Sequence, residues 1–114
     1  AYLSKSSWNP RQLVAAITAH VEEVGKDATA RRERLVNVVN QVAIYFRHAM
    51  REASGMEIAD GDASGWTGDA GRAAECLERC LVAERHVRAN ANQATLIECW
   101  VDDLAILTRP NVST

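Results

Sequence analysis

LVNVVNQVAIYFRHAM, residues 35–50, is the stretch on which the fold turns. Leu35, Val38, Val42, Tyr45 and Ala49 recur at spacings of three and four, and Val36, Val39, Ala43, Phe46 and Met50 repeat that rhythm one residue later. A period near 3.6 residues belongs to an α-helix, and no run of strict alternation competes with it. Two adjacent rows give an apolar arc wider than the single stripe of a surface helix. Such a helix must be covered on more than one side, by its own chain or by another. The expectation is a long helix over about 27–54, closed by Gly55.

Three further periodic segments flank it. Asn9-Pro10-Arg11-Gln12 reads as a helix start, with a side-chain acceptor before a proline and a Gln three residues on. Leu13, Ile17, Val21 and Val24 then form one stripe as far as Gly25, which predicts a helix over about 10–24. A third helix over about 69–89 starts at Asp69 and carries Ala73, Leu77, Cys80, Leu81 and Val87. The fourth, over about 92–108, shows Leu96, Ile97, Trp100, Val101, Leu104, Ala105 and Leu107 before Pro110. Asn90 and Asn92 interrupt these last two only weakly, which leaves one long helix or two as alternatives. The architecture expected is all-α: one domain over 1–114, a small up-and-down bundle of about four helices with a long polar loop at 55–68.

With 47% apolar and 25% charged residues, the 114-residue chain belongs to the globular class and not the disordered one. No stretch approaches the ~18 uninterrupted apolar residues of a membrane span. A formal charge of −2 gives no global attraction to nucleic acid or anionic lipid. Ala1–Ser7 lacks the apolar centre of a signal peptide, and Cys76, Cys80 and Cys99 form an odd set, so free thiols and a cytoplasmic location are expected.

Signals for chemistry are sparse. Asp60, Asp62 and Ser64 followed by Gly65 match the first half of a calcium-binding EF-hand loop, but position twelve, where a bidentate Glu belongs, is Gly71. A polar turn is the reading, with no metal and no cofactor expected. His20 with Glu23, and His48 with Glu52, lack the Glu-x-x-His order of a di-metal bundle. Cys76 and Cys80 supply two of the four ligands that structural zinc wants and read as buried apolar thiols. Neither a nucleophile elbow nor a phosphate-cradling glycine loop is present. The chain does not read as an enzyme.

Trp66-Thr67-Gly68 precedes a segment rich in small residues, Ala70-Gly71-Arg72-Ala73-Ala74. This resembles the WXG100 family, small secreted helical hairpins with Trp-x-Gly at the bend. The resemblance implies that Trp66 and Gly68 are bend residues, in a factor secreted without a signal peptide that pairs with a similar helical chain. The chain departs from that pattern in the roughly 65 residues before the tryptophan, in its glycine-rich approach, and in its cysteines.

Charge is distributed in blocks. Lys26 to Arg51 holds six bases against two acids, whereas Glu52 to Asp69 holds five acids and no base. Arginine outnumbers lysine eleven to two, which favours planar contacts with carboxylate or phosphate. Arg31, Arg32 and Arg34 are the strongest basic cluster. Without interleaved aromatics, nucleic acid is the less favoured partner, and a coat-like assembly subunit is the form that reading takes. The leading expectation is a non-enzymatic helical interaction or assembly domain, a homo-oligomer or the partner of another helical protein, with no membrane role. Apolar contact is expected from Val36, Val39, Phe46, Met50 and the loop anchor Trp66, and polar contact from Arg31, Arg32 and Arg34.

Overall fold

The computed structural model describes residues 9–55 and 69–108. Four helices follow one another as α1 (Pro10–Glu22), α2 (Ala28–Ala53), α3 (Ala70–Arg88) and α4 (Gln93–Thr108). No strand occurs among the described residues. The observed ends fall within two residues of those expected from periodicity. The expected loop at 55–68, with Asp60, Asp62, Ser64 and Trp66, lies outside the described residues except for Gly55.

Each start has a side-chain acceptor for otherwise unpaired first-turn amides. Asn9 Oδ1 accepts from the Arg11 and Gln12 amides at 2.9 and 3.4 Å, and Asp27 Oδ1 from Thr29 and Ala30 at 2.9 and 3.4 Å. Asp69 Oδ1 accepts from the Arg72 amide at 2.7 Å, and Asn92 Oδ1 from Thr95 at 3.1 Å. Between α3 and α4 the backbone reverses at Asn90, whose φ of +63° places it in the left-handed region. Its amide donates to the Val87 carbonyl and that of Ala91 donates to the His86 carbonyl, the paired bonds of a Schellman stop. Residues 69–108 therefore form two helices. Asn90 ends one and Asn92 starts the next.

The core is built unequally. α2 contributes Leu35, Val36, Val39, Ala43, Phe46 and Ala49, and α3 the smaller row Ala73, Cys76, Cys80, Ala83 and Val87. That row repeats at three, four, three and four, a seam on which small side chains let the bulkier α2 face approach closely. α2 packs most extensively on α3, then α3 on α4, α4 on α1, and α1 on α2, closing a ring of four helices. Both α2 and α4 touch α1 and α3, so they occupy diagonal corners. α4 adds Leu96, Ile97, Trp100, Val101, Leu104 and Ala105, whereas α1 buries only Ile17 and Val21. No described helix is long and apolar enough to cross a membrane.

Candidate interaction surfaces

Periodicity on α2 identifies the helix correctly, but the residues expected to meet another chain turn inward. Val36 is 8% exposed, Val39 1% and Phe46 fully buried, and all three belong to the chain's own core. In this fold they are not available to a second chain. Met50 is half-buried. A wide arc needs cover on several sides, and α1, α3 and their own neighbours on α2 supply it from within.

The arginine cluster also divides. Arg34 donates from one terminal nitrogen to the His20 carbonyl at 3.2 Å and to Glu23 Oε2 at 3.1 Å. Arg31 donates from Nε to the Gly25 carbonyl. Both guanidinium groups thus close the corner where α1 ends: the His20 carbonyl is one that helix geometry leaves unpaired, at the negative end of the helix dipole, and the Gly25 carbonyl lies just beyond it. Arg32 is half-buried and is not joined to them. The expected three-arginine patch is instead a latch of two plus one bystander. Sequence spacing cannot reveal this, because the acceptors are a backbone carbonyl fourteen residues and a carboxylate eleven residues from Arg34, and a backbone carbonyl six residues from Arg31.

No group of three metal-ligating side chains occurs among the described residues. His20 Nδ1 lies 3.6 Å from Glu23 Oε2, beside Arg34 on the exposed corner. Cys76 and Cys80 are buried and Cys99 is exposed; all three are free thiols. Burial pushes the Cys76 thiol up to about 12, with the neighbouring Cys80 and Glu75 adding to the rise and Arg72 opposing it. Burial likewise raises Cys80 to about 12, offset in part by the Trp100 indole N–H. That N–H is buried and has no hydrogen-bond partner. Thiols held neutral in this way are poor nucleophiles and poor metal ligands, and they serve as small core residues.

Three large apolar side chains, Leu81 of the expected third-helix stripe among them, lie on the outside. Ile44 on α2, Leu81 on α3 and Ile106 on α4 are 44%, 45% and 54% exposed, the large apolar side chains left to solvent among the described residues. Ile44 shares an exposed stripe with Gln41, Arg47 and Arg51, and Ile106 shares one with Cys99 and Asp102. The helices differ sharply in charge. α2 holds five arginines against two glutamates, and α4 holds Glu98, Asp102 and Asp103 with no base. A groove of about 450 Å³ runs between the start of α1 and the middle of α4. Val14 and Val101 lie at its bottom, Glu98 and Asp102 on its α4 rim, and Pro10 and Arg11 on its α1 side. Ile44 and Ile106 sit in the apolar runs Val42–Phe46 and Leu104–Leu107, so without a fold they are indistinguishable from their buried neighbours.

No protein-family model, curated protein or solved structure matches this chain. The two-helix hairpin implied by the WXG100 resemblance is present only as the α2–α3 pair, inside a four-helix ring, and Trp66 and Gly68 lie outside the described residues.

Proposed function

We propose that this chain is a non-enzymatic helical assembly module that associates with copies of itself. The observation that carries the reading is the sorting of charge onto diagonal helices, each with an exposed isoleucine: Ile44 among the arginines of α2, Ile106 beside the carboxylates of α4. Complementary charge around small apolar centres is how protein interfaces steer encounter and fix orientation. Three free cysteines fit a reducing, cytoplasmic setting for such an assembly.

The test is molar mass in solution, by sedimentation or light scattering, over a range of protein and salt concentrations. Mass is expected to rise with protein concentration and to fall as salt screens the charged faces. A single monomeric species at high concentration and low salt rejects the proposal.

A further inference from the structure

Resting on that reading, we infer that the contact is heterologous: the outward face of α2 of one copy seats in the α1–α4 groove of the next. The groove offers half-buried Val14 as its apolar floor, over the fully buried Val101, beneath an acidic rim of Glu98 and Asp102. The α2 stripe offers the complement, Ile44 with Arg47 one turn further along and Arg51 beyond. Ile44 fills the apolar bottom while Arg47 meets the α4 carboxylates. Arg11 on the α1 wall keeps the acidic side on α4 and so fixes which way the incoming helix lies.

Charge argues against the two-fold alternatives. An α2-to-α2 contact sets arginines against arginines, and an α4-to-α4 contact opposes carboxylates, so like charges meet at short range in both. Pairing α2 with α4 brings opposite charges together instead. Because the two faces sit at diagonal corners, one copy can use both at once. A heterologous contact of that kind continues until it closes into a ring or extends as a filament.

Two double variants test this, Arg47→Glu/Arg51→Glu on the α2 face and Glu98→Lys/Asp102→Lys on the groove. All four positions are exposed, and unchanged helical content by circular dichroism establishes that both variants fold. Each variant alone is expected to stay at lower mass than the parent chain, and an equimolar mixture is expected to regain it, since the intact α2 face of one meets the intact groove of the other and the two reversed faces, glutamates against lysines, complement each other in turn. Cys99 supplies an independent readout: it lines the groove and is exposed, whereas Cys76 and Cys80 are buried. Its alkylation rate by a maleimide is expected to fall in proportion to the assembled fraction. A parent chain that assembles with Cys99 equally reactive overturns the pairing and leaves self-association standing. So does loss of assembly in only one variant, or a mixture that stays small. A parent chain that is monomeric throughout removes the self-association reading itself.

Discussion

The α2–α3 seam and the seat of α1 are built from different materials. The seam joins eleven buried residues from two helices, nearly all aliphatic or thiol, with Phe46 fully enclosed. α1 brings two buried residues, Ile17 and Val21, with Leu13 and Val14 partly covered, and its C-terminal end is tied down by Arg31 and Arg34. Apolar burial is worth about 25 cal/mol per Å², whereas exposed ion pairs contribute about 0–1 kcal/mol each. Stability should therefore be concentrated in the seam. α1 should be the element that opens first, because local opening costs least where buried contacts are few.

The strongest way to break that contrast is Phe46→Ala. Truncating an enclosed phenylalanine costs about 3–5 kcal/mol, a large part of the about 5–15 kcal/mol that holds a domain of this kind together. Denaturant unfolding is expected to show that loss as a lower midpoint in one cooperative transition. A cost below about 1 kcal/mol would mean that the seam is not the core.

Arg34→Ala sharpens the contrast from the other side. It removes the contacts to the His20 carbonyl and to Glu23, on an ion pair whose arginine side chain is one-third exposed and whose glutamate is mostly exposed. The global loss is expected to be about 1 kcal/mol or less. The larger effect should be local, with faster amide hydrogen exchange over α1 and no change over α3. Equal acceleration in both helices would show that α1 and the seam open together.

How much of this was legible in the sequence follows the range of the forces involved. Phe46 and Val39 were recognisable as apolar helix positions because periodicity is local, and Asn9, Asp69 and Gly55 marked helix ends because caps act within a few residues. Whether those apolar rows face the chain's own helices or another molecule is a question of tertiary packing, and there the reading placed Val36 and Phe46 on the wrong side of the boundary. Arg31 and Arg34 looked like a surface patch because their carbonyl acceptors become neighbours only after α1 turns back at Gly25. The α1–α4 groove joins residues some ninety positions apart and left no local trace at all.

The smallest expected effect concerns a polar atom within the seam. Tyr45 lies edge-to-face with Phe46, ring centroids 5.2 Å apart, and its hydroxyl is buried without a hydrogen-bond partner. A desolvated hydroxyl left unpaired costs folding free energy that removing the oxygen returns. Tyr45→Phe keeps the ring and is therefore expected to leave stability unchanged or raise it by up to about 1 kcal/mol. Burial, then Glu52 and Cys76, raise the Tyr45 hydroxyl above its ordinary value of 10.0. The folded chain thus holds this proton more tightly than the unfolded one, so the associated stability is present below pH 10 and is lost as pH rises through the folded value. The substitution should make the alkaline decline shallower, although Cys76 and Cys80, held at about 12, keep part of it from about pH 9 upward. Denaturant titrations of both chains at neutral pH and above pH 10 test this. A loss exceeding 1 kcal/mol at neutral pH would show that the hydroxyl has found a partner, and that the seam is less dry than its aliphatic lining implies.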